Sequence, residues 1–160
     1  MNTEKQLLTA GAANVTLTID IEATVVQTWR ALIDDVGQWW QQDFLGCENS
    51  LGMNFTPGVG GMLFEKTKDG GGYVWGNVIS FQPPKQLAYV AQVVPPWGGP
   101  AQSVVQINLA PSESRPDDAT VLTLIDSLIG HVTEETMSSL GEGWGQIYGD
   151  GGLKTYVESK

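Results

Sequence analysis

The sequence predicts an α+β protein in which one antiparallel sheet is closed by a long C-terminal helix. Three observations lead to this prediction. An alternating segment near the N-terminus is followed by apolar residues at helical spacing. At least five strand-like segments with short connections come next, which is typical of an antiparallel meander. The C-terminal residues then return to helical spacing. A length of 160 residues fits a single domain.

The first elements are a strand and two short helices. "VTLTIDI", residues 15–21, alternates apolar and polar side chains and predicts a strand. "TVVQTWRALIDD" predicts an amphipathic helix, because its apolar residues recur at helical spacing. "VGQWWQQ" predicts a second short helix or a turn. Residues 1–13 are expected to form a flexible tail and residues 14–160 a single domain.

Five strands are predicted in the middle of the chain, each bounded by turn-forming residues. The strand segments are "GGMLFEKTK", "YVWGNVISF", "QLAYVAQVV", "SVVQINLA" and "ATVLTLIDSLI". The connecting turns are "DGGG", "QPPK", "PPWGGP" and "PSESRPDD". Because these connections are short, neighbouring strands are expected to pair antiparallel.

A long helix is predicted after the last strand. Thr133 is placed as its N-cap, and Glu134 and Glu135 fall in the first turn, where the helix dipole favours acidic side chains. Five apolar residues then share one helix face: Met137, Leu140, Trp144, Ile147 and Tyr148.

The glycine-rich stretch of residues 141–152, "GEGWGQIYGDGG", has to be tested as a phosphate-binding loop. A dinucleotide fingerprint needs G-x-G-x-x-G, but its last position falls on Gln146, Tyr148 or Lys154, depending on the register. A P-loop needs glycine directly before Lys-Ser/Thr, and Leu153 stands there instead. The stretch is therefore interpreted as helix, and no nucleotide cofactor is predicted.

Composition argues against several classes of function. The net charge is −10 with only eight Lys and Arg residues, which disfavours nucleic acid and anionic membranes as partners. Cys47 is the single cysteine and His131 the single histidine, so neither an intrachain disulfide nor a Cys/His metal site is expected. The N-terminus lacks a signal-peptide pattern, and no segment is apolar enough to insert into a membrane. We expect a cytoplasmic protein without metal or cofactor, and a monomer as the default.

Five segments, in this order, resemble START-like domains of the SRPBCC superfamily. They are "IEATVVQTWRALID", "GGMLFE", "WGNVISFQPPKQLAYV", "ATVLTLIDS" and "GEGWGQIYGDGGLKTYVE". The branch that the sequence resembles most is that of the homologues of the heat-shock-protein-90 ATPase activator. The resemblance covers residues 15–158 and implies the helix-grip fold. In that fold a curved antiparallel sheet and a long C-terminal helix enclose a cavity, and two short helices follow the first strand.

Two departures from the family pattern have structural consequences. The leucine of the closing helix comes late, at Leu153, and would lie opposite Trp144 on an ideal helix. A kink or bulge is therefore expected between Gly149 and Gly152. The second departure is Asp126, where members of the family often carry His or another polar residue. If Asp126 faces inward, burial should raise its pKa.

The resemblance and the many aromatic residues predict binding or sequestration of a small hydrophobic or aromatic molecule, such as a lipid or a polyketide, between the sheet and the C-terminal helix. Gly141 and Gly145 are expected to let the ligand or the sheet approach the helix backbone closely. The predicted ligand-binding residues are Trp40, Phe64, Tyr73, Trp75, Asp126, Met137, Leu140, Gly141, Trp144 and Tyr148.

Two alternative functions stay open. One is an enzyme of the polyketide cyclase or hydrolase type that acts in the same cavity. No catalytic residue is assigned, and Asp126, Glu65 and His131 are the only candidates for an acid or a base. Catalysis of this kind requires two of them to converge in the cavity. The other alternative is a module that regulates a chaperone ATPase and has the chaperone as its partner.

Overall fold

The computed structural model describes all 160 residues, and its seven strands form one antiparallel sheet. The strand order is β1-β7-β6-β5-β4-β3-β2, so the six strands from β2 to β7 each pair with their neighbours in sequence. This is the predicted meander, with the first strand added beside the last. The strands are β1 (Gly11–Ile21), β2 (Ser50–Phe55), β3 (Met62–Thr67), β4 (Gly72–Gln82), β5 (Gln86–Val93), β6 (Ala101–Pro111) and β7 (Thr120–Gly130).

Two strand boundaries differ from the sequence prediction. β1 pairs with β7 from Gly11 onward, so residues 11–13 belong to the sheet and not to the predicted tail. Glycine and alanine have low strand propensity, and here pairing with a long partner strand decides their conformation. β2 was not predicted, because Gly52 adopts a positive φ of 99° and interrupts the alternation of its short segment.

Four helices flank the sheet. Thr24 caps the first with a capping box that includes Gln27, and Thr133 caps the third by accepting a hydrogen bond from the Thr136 amide, as predicted. None of them is long and apolar enough to cross a membrane. The helices are α1 (Val25–Asp34), α2 (Val36–Trp39), α3 (Glu134–Tyr148) and α4 (Leu153–Glu158).

The C-terminal helix is interrupted where the glycines predicted a kink. α3 ends at Tyr148 and α4 begins at Leu153, with Gly149–Gly152 between them. Gly151 has a positive φ of 89° there. Because of the interruption Leu153 is turned into the core, where it is fully buried.

The hydrophobic core lies between one face of the sheet and the helices. Every second residue along most of β6 and β7 is buried, which is the alternation expected of a sheet with one covered face. Trp29, Trp39 and Trp40 from the N-terminal helical segment and Trp144 from α3 are all buried against this face. The predicted α+β architecture is confirmed.

Candidate functional site

A cavity of about 180 Å³ lies among the inner-face residues of the sheet, beneath α3. Nine of its twelve lining residues are hydrophobic. Five of the residues predicted from the sequence line it: Tyr73, Trp75, Asp126, Leu140 and Trp144. Since β4, β7 and α3 each contribute, the cavity lies between sheet and helix, as the sequence analysis expected.

Two other predicted residues are buried next to the cavity without lining it. The Trp40 ring is 5.9 Å from that of Trp75, and the Tyr148 ring is 5.7 Å from that of Trp144, measured between centroids. Both side chains therefore support rings that line the cavity.

The remaining three predicted residues lie elsewhere. Phe64 alternates with the inward-facing Leu63, and the Lys66 ammonium lies 5.5 Å from the centre of its ring, so Phe64 belongs to the outer face. The strand pattern did not reveal this, because Met62, Leu63 and Phe64 are consecutive apolar residues and do not show which of them face inward. Met137 and Gly141 of α3 do not line the cavity.

The sheet does not approach the helix backbone closely at Gly141 or Gly145, and the approach of a ligand there stays a prediction. A Cβ atom at Gly141 would meet a Val15 methyl group at 3.6 Å, which is ordinary van der Waals contact. A Cβ atom at Gly145 would meet nothing within 4 Å. Both positions have room for a Cβ atom, so packing against the sheet does not require glycine at either.

Seven lining residues were missed by the sequence analysis. Strand periodicity could have placed Tyr89, Ala91 and Val93 of β5 and Ser103 of β6, since every second residue of a strand lies on the same face. Trp97 lies in a turn and has no periodic signal. The missed residues are Leu63, Tyr89, Ala91, Gln92, Val93, Trp97 and Ser103.

Asp126 is the one carboxyl group that lines the cavity, and it is 1% exposed. The Ser103 hydroxyl donates to its Oδ1, and the Trp144 indole N–H donates to its Oδ2 at 2.8 Å. Burial raises the pKa of Asp126, although the two hydrogen bonds act in the opposite direction. The raised pKa favours the neutral acid, which avoids leaving an uncompensated charge in an apolar space.

Replacing Asp126 with asparagine should stabilise the protein at neutral pH and not at acid pH. The pKa of Asp126 is higher in the folded protein than the unfolded value of 3.8, so folding favours the protonated carboxyl. Its contribution to the free energy of unfolding is complete below pH 3.8 and is lost as pH rises through the folded-state pKa. An amide can accept from Trp144, donate to Ser103 and carry no charge. We expect a gain at pH 7 of about 1.4 kcal/mol for each unit by which the pKa is raised.

Urea unfolding at pH 3.5 and pH 7 measures this difference. Asp20→Asn, on the exposed face of β1, makes the same chemical change away from the cavity and serves as the control. An Asp126→Asn protein that is less stable than the parent at pH 7 would contradict the expectation.

Glu65 is also 1% exposed, but it does not line the cavity. Its carboxylate accepts hydrogen bonds from the Gly46 amide at 2.7 Å, the Cys47 amide at 3.1 Å and the Trp75 indole at 2.6 Å. Burial acts to raise the pKa of Glu65, yet the donors, Gly46 foremost, lower it below the ordinary value. Burial and the nearby Glu65 raise the pKa of the Cys47 thiol. Glu65 thus holds the segment before β2 and orients Trp75.

His131 lies apart from both carboxyl groups. Its Nδ1 is 3.2 Å from the Thr9 carbonyl oxygen, and its side chain lines a separate open pocket of about 480 Å³. Of the three candidate acids and bases, only Asp126 reaches the cavity, and no two of them converge there.

Three aromatic rings form one wall of the cavity. Trp97 stacks on Trp75 with 5.5 Å between centroids and 12° between planes, and its centroid is 4.7 Å from that of Tyr73. The Trp97 ring covers Gly46, where a Cβ atom would lie 2.6 Å from its edge. Trp97, Val93 and Leu140 line both the cavity and the open pocket, so these three side chains separate the two spaces.

Comparisons with known proteins define the fold. No protein-family model and no curated protein sequence matches the chain. Solved structures do match. Ara h 8.0201 has a TM-score of 0.67 and 9% identity, over 94% of this chain and 100% of that one. An uncharacterised protein from Rhizobium leguminosarum has a TM-score of 0.65 and 16% identity, over 97% of this chain and 100% of that one.

A third match is the anthrahydroquino-γ-pyrone synthase Txn09, whose structure contains the ligand SUM. Its TM-score is 0.50 at 24% identity, over 71% of this chain and 75% of that one. The chain has the START-like helix-grip fold. Identities of 9–24% show the fold alone, so the function has to be argued from the cavity. The resemblance to the chaperone-activator branch stays a prediction.

Proposed function

We propose that this protein binds a small hydrophobic or aromatic molecule in the cavity between the sheet and α3. The observation that carries the proposal is an apolar cavity, walled by aromatic rings and provided with one buried carboxyl group at Asp126. Ligand sites in proteins combine these features, a mostly apolar lining and a few fixed polar groups. The fold shared with the synthase Txn09, whose structure contains a ligand, supports the proposal.

The volume of the cavity limits the size of the ligand. An apolar cavity of about 150 Å³ accommodates benzene, whereas sites for drug-sized molecules begin at about 300 Å³. At about 180 Å³ this cavity suits a molecule of one or two rings. A larger ligand needs the Trp97 side chain to move, which would join the cavity to the open pocket beside it. Trp97 is 41% exposed and lies on a turn, and its movement has to break the stacking on Trp75 and the contact with Tyr73.

Titration with ring compounds tests the proposal. We expect indole and naphthalene to shift the amide resonances of Tyr89, Ser103 and Asp126, and anthracene to leave them unchanged. In Trp97→Ala the wall is open, and anthracene should now shift the same resonances. Ile79→Ala, an exposed change on the outer face of β4, is the matched control and should behave like the parent protein.

The proposal fails if no ring compound shifts residues of the inner face or of α3. If anthracene binds the parent protein and Trp97→Ala equally well, the cavity is not closed by Trp97.

A cyclase-like activity is a second candidate, favoured by the placement of Asp126. A buried carboxyl group whose pKa is raised by desolvation can act as a general acid. Catalysis would be supported if the parent protein converts a polyketide analogue and Asp126→Asn does not. Equal rates of conversion in the two proteins would exclude Asp126 as the acid.

Regulation of a chaperone remains the third hypothesis. It is tested by measuring whether the protein stimulates the ATPase activity of the cognate chaperone.

A further inference from the structure

Most of the polar side chains that line the cavity are hydrogen-bonded within the protein. Four side-chain donors on its wall each donate to an acceptor of the chain. The Tyr73 hydroxyl donates to the Gln92 carbonyl, and the Trp75 indole donates to Glu65. The Ser103 hydroxyl and the Trp144 indole both donate to Asp126. These donors are therefore occupied and are not available to a ligand.

The Tyr89 hydroxyl is different. Tyr89 lines the cavity and is 2% exposed, and its hydroxyl makes no hydrogen bond of normal geometry, although the Tyr148 hydroxyl lies beside it. A buried donor without a partner is unfavourable, and in a native protein it calls for a water molecule or a ligand that pairs with it. Burial also raises the pKa of Tyr89 well above its ordinary value, so the hydroxyl keeps its proton and remains a donor.

The Tyr89 ring is held in place by its neighbours on the sheet. It lies over Gly76 of β4, where a Cβ atom would approach the ring to 2.3 Å. Tyr89 pairs with Val105, which in turn pairs with Asp126, so the phenol and the carboxyl group belong to one row across three strands. The donor is thus fixed in position before any ligand arrives, which reduces the entropic cost of binding.

We propose that the ligand carries a neutral hydrogen-bond acceptor, such as a ring ketone, and that the Tyr89 hydroxyl donates to it inside the cavity. This inference rests on the proposed function, that the cavity binds a small ring compound. A carbonyl oxygen supplies the missing acceptor without bringing in a charge. An anionic ligand would have to be buried beside Asp126 in an apolar space, where desolvation opposes it.

A matched pair of ligands tests this inference in the full-length protein. Indane and 1-indanone share the same two-ring frame and differ by one carbonyl group. Calorimetric titration gives the ratio of their dissociation constants, indane over 1-indanone, for the parent protein and for Tyr89→Phe. Loss of one hydrogen bond should lower this ratio about three- to tenfold in Tyr89→Phe, with the affinity for indane unchanged. An equal ratio in the two proteins would overturn the inference.

Two further measurements complete the test. Tyr148→Phe removes the hydroxyl that lies beside that of Tyr89, from a residue that does not line the cavity, and it should leave the ratio unchanged if the ligand accepts from Tyr89. If the ratio falls in Tyr148→Phe and not in Tyr89→Phe, the donor has been assigned wrongly. Without ligand, Tyr89→Phe should unfold at the same temperature as the parent or a higher one, because it deletes an unpaired group. A lower temperature would show that the hydroxyl is already bound within the protein.

The failure of this inference can be told apart from that of the proposed function. If neither indane nor 1-indanone binds, the proposed function fails and the inference fails with it. If both bind and the ratio is the same in Tyr89→Phe, the cavity is a ligand site but Tyr89 does not select a carbonyl group.

Discussion

Replacing Glu65 with alanine should lower the free energy of unfolding by about 3 kcal/mol, because each buried donor left without an acceptor costs about 1–3 kcal/mol. The Glu65 carboxylate accepts from the Gly46 and Cys47 amides and from the Trp75 indole. The two amides can regain water once the segment before β2 loosens, whereas the Trp75 indole is packed among other rings. The expected loss is a large share of the stability of an ordinary domain, which is about 5–15 kcal/mol.

Urea unfolding of Glu65→Ala at pH 7 measures the loss. Glu48→Ala, which removes an exposed carboxylate from the same segment, is the matched control and should change stability little. A Glu65→Ala protein as stable as this control would show that the three donors find other acceptors. Trp75 should also become more mobile in Glu65→Ala, which is measurable as a change in tryptophan fluorescence.

The contribution of Glu65 also depends on pH, with a sign opposite to that of Asp126. The folded-state pKa of Glu65 lies below its ordinary value of 4.5, so its stabilising contribution is complete above that value. The contribution is lost as pH falls through the lowered pKa. The gap in stability between the parent protein and Glu65→Ala should therefore narrow below pH 4.5.

Replacing Gly152 with alanine should destabilise the protein by about 3 kcal/mol, at the upper end of the usual cost of inserting atoms into a packed site. A Cβ atom at this position would lie 1.8 Å from the carbonyl oxygen of Ile147. This oxygen belongs to the backbone of α3 and cannot rotate away. The turn between α3 and α4 would have to open, and Leu153 and Val157, both buried, would shift with it.

The matched control is Gly145→Ala, within the same glycine-rich stretch. A Cβ atom there meets nothing within 4 Å, and the residue is helical. Alanine favours a helix interior over glycine by about 0.8–1.0 kcal/mol, so Gly145→Ala should raise the melting temperature. Opposite signs for the two variants are the expected result. If both variants destabilise the protein, the glycines of α3 have a role that packing does not explain.

Strand and helix periodicity made part of the site predictable from the sequence. Tyr73 and Trp75 share one strand face, Leu140 and Trp144 share one helix face, and both pairs line the cavity. The prediction failed at Phe64, because the consecutive apolar residues Met62, Leu63 and Phe64 do not show which face of β3 is buried. It also omitted Tyr89, whose alternation with Ala91 and Val93 places it on the inner face. Trp97 could not be predicted, because a residue in a turn carries no periodic signal.

The sequence by itself determined the element order, the antiparallel meander and the interruption of the C-terminal helix at Gly149–Gly152, because periodicity, turn residues and glycine act over short distances along the chain. Only the tertiary structure decided which polar groups pair. Asp126 meets Ser103 and Trp144, and Glu65 meets the segment before β2, through contacts between residues far apart in sequence. The Tyr89 hydroxyl is left without a hydrogen bond of normal geometry by the same three-dimensional packing. Hydrogen-bond satisfaction and cavity volume depend on three-dimensional packing, which no local pattern encodes.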